Sequence, residues 1–151
     1  MFYTLILASS IASAETEVLV SSFEAKNTKA EQFAEELPKL ILENLELEPD
    51  IAGLSLADAK PVHATPAQLY MDGCPPGEYE GCAAQIAQVN NIPFAIAGEV
   101  DALEEVMRVN IHIIDVNEGQ SVADFPLDIA AGGEDAIIQT IVLTLKSAVK
   151  G

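Results

Sequence analysis

Basic residues are scarce in this chain. It contains 7 Lys and Arg residues against 24 Asp and Glu, which gives a formal net charge of −17 at pH 7. Such a field repels nucleic-acid phosphates and anionic lipid headgroups, so the composition argues against nucleic-acid binding and against attachment to a membrane surface. The acidic residues are compatible with three roles: keeping the domain soluble, attracting a basic partner, or holding divalent cations loosely.

Cysteine is rarer still, with two residues in the chain. Cys74 and Cys82 enclose a turn-rich segment that contains two Pro and two Gly residues. In an oxidising compartment such a pair is expected to form a disulfide, and reduced structural thiols are the alternative. A zinc site would need two more ligands, and neither His63 nor His112 has a metal-ligand spacing to the cysteines. The sequence therefore predicts a disulfide, no metal site and no cofactor.

The apolar run near the N-terminus is too short to cross a bilayer as a helix. Phe2 to Ile11 is followed by Ala12-Ser13-Ala14, an A-x-A pattern, and then by Glu15. This arrangement predicts a signal peptide over residues 1–14, although the basic residues that usually precede the apolar run are missing. We expect cleavage near Ala14 and a periplasmic or secreted protein without direct membrane insertion. A first core strand is the competing interpretation.

The remaining residues are predicted to form one domain. Apolar residues make up 50% of the chain, which is enough for a hydrophobic core and argues against disorder. No internal repeat or linker divides residues 15–151, and this length suits a single domain.

Hydrophobic periodicity predicts the element order β-α-β-α-β-β-β-α. The fold class is α/β (α+β), a two-layer sandwich of a mixed sheet of about five strands with the helices packed on one face. The last three strands should form an antiparallel meander because their connections are short. A capping box at Thr28–Glu31 should start the first helix, and Pro38 should kink it or split it at Leu37. The predicted elements are strands at 17–23, 50–57, 94–100, 106–116 and 121–129, helices at 28–47, 82–90 and from 134 onward, and a short helical turn at 65–70.

Two segments resemble the TolB amino-terminal domain and the curli secretion lipoprotein CsgG. They are Glu35 to Ile41 (EELPKLI) and Asn91 to Val100 (NIPFAIAGEV), which ends in the phrase Gly98-Glu99-Val100. Together with the strand–helix–strand start and the following hairpin, the resemblance covers most of residues 17–149. It implies a periplasmic protein-binding domain that acts in cell-envelope assembly or transport and has no catalytic residues.

The residues themselves give little support to catalysis. A nucleophilic enzyme needs a Ser or Cys beside a His and an acid. The cysteines are better explained as a disulfide, and we interpret mid-strand His112 and His63, in a Pro-rich loop, as structural histidines. Gly132-Gly133 precedes a helix, but the acidic residues that follow would repel a phosphate. We therefore expect no enzyme, and a hydrolase or redox enzyme is the third hypothesis.

The cysteine loop is the predicted partner-binding surface, because a closed loop loses little entropy on docking. Tyr79, Glu78 and Glu80 are its candidate contact residues, and a purely structural tether is the alternative. An exposed sheet edge could also accept a strand from a partner.

A second acidic group suggests cation binding. Asp101, Glu104 and Glu105 cluster in the connection between two predicted strands, where they could gather a cation or simply solvate a turn. The leading hypothesis is a non-enzymatic protein-binding or scaffold module of the bacterial cell envelope, with an envelope protein as its partner. The alternative is a small-ligand or divalent-cation-binding periplasmic domain. The identity of the partner and the oligomeric state are left open.

Overall fold

A computed structural model describes residues 15–59, 74–130 and 133–150 of the chain. The predicted signal peptide, His63 and the predicted helical turn at 65–70 lie outside these residues.

The described residues form five strands and three α-helices in the predicted order. Two short 3₁₀ turns, at Thr28–Ala30 and Leu56–Asp58, follow the first and second strands. The elements are β1 (Thr16–Ala25), α1 (Glu31–Leu45), β2 (Ile51–Leu54), α2 (Tyr79–Val89), β3 (Phe94–Ala102), β4 (Met107–Asp115), β5 (Gln120–Ile129) and α3 (Glu134–Lys150).

The strands form one mixed sheet in the order β2-β1-β3-β4-β5. β1 runs parallel to both of its neighbours, whereas β3, β4 and β5 pair antiparallel through short connections. The predicted mixed five-stranded sheet and the predicted meander are confirmed.

One detail of the predicted layering is different: the helices do not all share one face. α1 and α3 pack on the face that carries Val18, Ile96 and Ile111, while α2 packs on the opposite face against Leu19 and Ala95. Parallel crossovers in a sheet are almost always right-handed. The crossover through α1 leads from β1 to β2, and the crossover through α2 leads back past β1 to β3. Because the two crossovers run in opposite directions, the same handedness places their helices on opposite faces.

The larger core lies between the sheet and the pair α1 and α3. Side chains alternate along β4, and Val109, Ile111 and Ile113 all point into this core. The two helices contribute fully buried side chains at a spacing of four residues. These side chains are Leu37, Ile41 and Leu45 of α1 and Ile137, Ile141 and Leu145 of α3. Burial of each such side chain contributes about 1.5–3 kcal/mol to stability.

The smaller core lies under α2 and covers only part of its face. Ala95 and Ala97 of β3 are fully buried there, and their small side chains let the helix approach the sheet closely. Beyond α2, the same face carries the polar side chains of Glu99, His112 and Asp124. α2 thus leaves an open area on this face of the sheet, where these polar side chains are partly exposed to solvent.

The start and the middle of α1 differ from the prediction. Residues Thr28–Ala30 form a 3₁₀ turn, and no side chain caps either this turn or α1, so the predicted capping box is wrong. Asn27 instead bonds to β3, where its amide nitrogen lies 2.9 Å from Asp101 Oδ1. Pro38 does not split the helix, which is continuous over Glu31–Leu45. The buried stripe on both sides of Pro38 holds the helix together despite the missing N–H donor.

Candidate functional site

A groove of about 660 Å³ opens at the C-terminal end of β1. Its lining comes from residues 20–25 of β1, from α1, from the turn at 55–57 and from the loop that holds Cys74, Pro76 and Tyr79. β1 is the strand at which the chain connections reverse direction, since α1 leads to one neighbour and α2 to the other. Open α/β sheets bind ligands at the carboxyl ends of strands beside such a reversal.

A β-bulge shapes the wall of this groove. Val20 pairs with Ile96 and Phe23 with Gly98, so β1 contains one extra residue between these pairs. Ser21 lies in this bulge and is 1% exposed, and its hydroxyl has no hydrogen-bond partner among the residues that the structure describes. An unsatisfied buried polar group costs about 1–3 kcal/mol. The strand that forms the groove wall therefore contains an unsatisfied buried hydroxyl at a bulge, and bulges often accompany functional sites.

The predicted disulfide is present and forms the opposite side of the groove. The Sγ atoms of Cys74 and Cys82 are 2.06 Å apart, and the Cα atoms are 6.3 Å apart. The backbone N–H of Gly77, in the loop between the cysteines, donates to Glu24 Oε1 at 2.9 Å. Glu24 is buried at the end of β1, and Lys26 Nζ lies 3.6 Å from its other oxygen. The disulfide loop is thus fixed to the strand that lines the groove.

The lining of the groove is apolar with an acidic rim. Glu31 and Glu35 project from α1 and are exposed, and Lys39 lies one turn farther along the helix. The apolar part of the lining includes Phe23 and Leu42. Such a surface suits an extended segment that carries both apolar and basic side chains.

A second polar site lies on the open area of the sheet, around His112. Its Nε2 atom is 2.7 Å from Glu99 Oε2, and its Nδ1 atom is hydrogen-bonded to Asp124 and lies 3.9 Å from Glu80 Oε2. Burial lowers the pKa of His112, but the hydrogen bond to Asp124 and the negative charges of Glu99 and Glu80 outweigh that effect. The pKa of His112 is therefore raised above its ordinary value.

Three of these side chains are close enough to share a metal ion. One potential ligand atom each from Glu80, His112 and Asp124 lies within 4.8 Å of the other two, and within the described ranges this is the one such group. Ser121 donates a hydrogen bond to Glu80 Oε2. Its members come from α2, β4 and β5, so no local sequence pattern predicts the cluster. The one signal in the sequence is a histidine, His112, in the middle of a predicted strand.

The structure places the three predicted partner-binding residues in different surroundings. Tyr79 begins α2, is half-buried, packs against the smaller core and lines the groove. Glu78 is exposed just before the helix, and Glu80 turns towards His112. The contact with a partner remains a prediction for all three.

The three predicted cation ligands are not brought together. Asp101 accepts a hydrogen bond from Asn27, while Glu104 and Glu105 are exposed in the connection between β3 and β4. Their carboxylates do not form a group of three close enough to share an ion. Pairing of β3 with β4 holds Asp101 on the sheet, apart from the two residues in the turn.

Within the described residues, no helix combines the length and the apolar character needed to cross a membrane.

Sequence comparison identifies no relative: no protein-family model matches the chain, and no curated protein matches it. Solved structures do match. TolB from Acinetobacter baumannii superposes with a TM-score of 0.62 at 14% identity, over 90% of this chain and 28% of TolB. The lipoprotein GNA1162 from Neisseria meningitidis gives a TM-score of 0.53 at 10% identity, over 87% of this chain and 96% of that protein.

A third match is the C-terminal domain of LpoB from Escherichia coli, with a TM-score of 0.52 at 13% identity, over 78% of this chain and 84% of that domain. The chain spans little more than a quarter of the length of TolB. At these identities the likeness establishes the fold alone, and the resemblance to CsgG stays a prediction. The chain has a TolB-like fold.

Proposed function

We propose that this protein is a non-enzymatic binding module of the bacterial cell envelope, which holds a basic, extended segment of a partner protein in the groove at the end of β1. The observation that carries the proposal is the groove itself, which combines an acidic rim with an apolar lining. Periplasmic location is supported by the predicted signal peptide and by the disulfide, which is typical of exported proteins. GNA1162, which shares the fold, is described as a lipoprotein.

Charge favours a basic partner. The whole chain carries a formal charge of −17, and Glu31 and Glu35 place negative charge directly at the groove. A field of this sign accelerates encounter with a positively charged segment and discriminates against acidic ones. The apolar side chains that line the groove can then bury the stems of Lys or Arg residues.

Rigidity favours binding. The disulfide and the bond from Gly77 to Glu24 fix the loop before the partner arrives. A fixed wall lowers the entropy that is lost on docking.

We do not propose catalysis at the groove. Ser21 and Ser22 line it, but within the described residues no His contributes to the lining. A serine nucleophile needs such a base. Cys74 also lines the groove, but its sulfur is held in the disulfide.

Charge reversal tests the proposal. The double variant Glu31→Lys, Glu35→Lys changes the groove, and Glu36→Lys, Glu43→Lys makes the same change at exposed positions of the same helix outside the groove. Each mature protein is cross-linked in envelope extract, and the linked peptides are identified by mass spectrometry. We expect the groove variant alone to lose an envelope protein whose cross-linked peptide contains Lys or Arg. Equal capture by both variants would refute the proposal.

A small-molecule ligand is the second candidate, because 660 Å³ lies within the range of ligand pockets. A thermal-shift screen separates the two functions, since a ligand that binds only the folded state raises the melting temperature. A small molecule that raises the melting temperature of the wild type but not of the groove variant would favour this candidate.

A further inference from the structure

We propose that Glu80, His112 and Asp124 form a binding site for a divalent transition-metal ion such as Zn²⁺, with His112 coordinating through Nδ1. This site lies on the open area of the sheet beside α2. It does not depend on the function proposed for the groove.

The ligand atoms are already gathered. Nδ1 of His112 lies 3.9 Å from Glu80 Oε2, and the three potential ligand atoms fit within 4.8 Å of one another. In a tetrahedral zinc site with bonds of about 2.0–2.1 Å, neighbouring ligand atoms are about 3.3 Å apart. The carboxylate of Asp124, now hydrogen-bonded to Nδ1, would have to withdraw by about 1 Å to admit the ion at that bond length. Because the Asp124 side chain is 54% exposed on the edge strand β5, few neighbouring atoms oppose its rotation away from Nδ1.

Glu99 holds the imidazole in the form that binds metal. Nε2 donates to Glu99 Oε2 at 2.7 Å, and Glu99 is half-buried on β3. In the metal-free protein Nδ1 also carries a proton, which it donates to Asp124. When the ion binds, that proton leaves to solvent, the remaining proton stays on Nε2, and the lone pair of Nδ1 points towards Asp124 and Glu80. A metal-ligating histidine usually has this arrangement, in which a carboxylate accepts the other ring N–H. Glu99 is therefore a positioning residue of the site.

Glu80 is also oriented by a neighbour. Ser121 donates a hydrogen bond to Glu80 Oε2, from the opposite side of the cluster. Two of the three ligands thus have outer partners on different strands, Glu99 on β3 and Ser121 on β5. These partners hold the ligands in place before the ion binds.

The ligand set favours a transition metal over calcium or magnesium. One imidazole with two carboxylates suits Zn²⁺, Ni²⁺ or Cu²⁺, whereas Ca²⁺ takes six to eight oxygen ligands. Glu80, Asp124 and Glu99 place three negative charges around one imidazole, and a divalent ion offsets more of that charge than a single proton does. The side chains of Glu80 and Asp124 are 42% and 54% exposed, so positions on the ion stay open to water.

Calorimetric titration of the metal-free mature protein with ZnCl₂ tests the site. We expect one Zn²⁺ per chain, and at least tenfold weaker binding in each of the variants Glu80→Gln and Asp124→Asn. Glu78→Gln is the matched control, since Glu78 is exposed two residues from Glu80 and outside the cluster. CaCl₂ at the same concentrations should not compete with Zn²⁺. Absence of stoichiometric Zn²⁺ binding, or equal weakening by Glu78→Gln, would overturn the proposal.

The ring nitrogens provide a separate readout. In ¹⁵N spectra of the imidazole groups, Zn²⁺ should shift Nδ1 of His112 and leave a protonated Nε2. Glu99→Gln should weaken Zn²⁺ binding about 10–100-fold, as the loss of a carboxylate that orients a metal-ligating histidine does in other metalloproteins. The circular dichroism spectrum of this variant should match that of the wild type. A shift at Nε2 in place of Nδ1, or Zn²⁺ binding that survives in His112→Gln, would contradict coordination through Nδ1 of His112.

Discussion

His112 on β4 and Glu99 on β3 are joined through Nε2 and Oε2 at 2.7 Å, although the two residues are not direct partners in the strand register. The same imidazole bonds to Asp124 through its other nitrogen. A single half-buried ring therefore links three strands of the sheet outside the area that α2 covers.

This ring makes the stability of the metal-free protein depend on pH. The pKa of His112 is raised in the folded state, so the protonated ring stabilises the fold. That contribution is fully present below the unfolded pKa, about 6.5, and is lost as the pH rises through the higher folded value. In the presence of a chelator, the difference in urea midpoint between wild type and His112→Gln should be larger at pH 6 than at pH 9. An equal difference at both values would contradict the raised pKa.

Gly98 is predicted to tolerate no side chain. A Cβ atom there would lie 2.1 Å from the backbone oxygen of Asn110 and 2.6 Å from Cε2 of Phe23. Gly98→Ala should therefore lower the free energy of unfolding by about 1–3 kcal/mol or more, as overpacking does. Gly81→Ala is the control, because a Cβ at Gly81 in α2 meets nothing within 4 Å. Gly81→Ala should be neutral or stabilise the protein by up to about 1 kcal/mol. Equal effects of the two changes in urea denaturation would show that the contact at Gly98 is wrong.

The disulfide should contribute measurably to stability. Closing a loop of this length restricts the unfolded chain by about 2–3 kcal/mol on the chain-entropy model. Reduction should lower the urea midpoint of the wild type, and Cys74→Ser, Cys82→Ser should reproduce that lower midpoint and no longer respond to reductant. A midpoint that is the same before and after complete reduction would mean that the loop is held by its other contacts, such as Gly77 to Glu24.

The buried hydroxyl of Ser21 should not contribute to the stability of the fold. Ser21→Ala removes a buried hydroxyl that has no partner in the described part of the chain, so the free energy of unfolding should stay equal or rise by about 1 kcal/mol. Ser22→Ala, at the neighbouring groove position, is the comparison. A clear loss of stability in Ser21→Ala would indicate that the hydroxyl is already satisfied in the free protein.

The local pattern of the sequence predicted the elements well. Hydrophobic periodicity predicted a helix at 28–47 and a strand at 106–116, and the structure places Ile41 of α1 and Ile111 of β4 in the larger core. Both signals depend only on the period of a helix or a strand, so they can be found within a short window.

Features that depend on pairing between distant residues were not predicted. The face of α2 follows from the strand order and from crossover handedness, which no local pattern contains. The bulge at Ser21 appears only once β1 pairs with β3. Likewise, Glu80 and His112 are 32 positions apart in the chain and meet only after α2 docks beside β4.

A photo-reactive amino acid placed in the groove tests the proposed function most directly. It is introduced at position 35, which lines the groove, or at position 43, which is exposed on the same helix outside the groove. Irradiation of intact cells should link position 35 to a Lys- or Arg-bearing segment of one envelope protein and give no such product at position 43. The same products from both positions, or none from either with the protein folded and oxidised, would rule out the groove as the binding site.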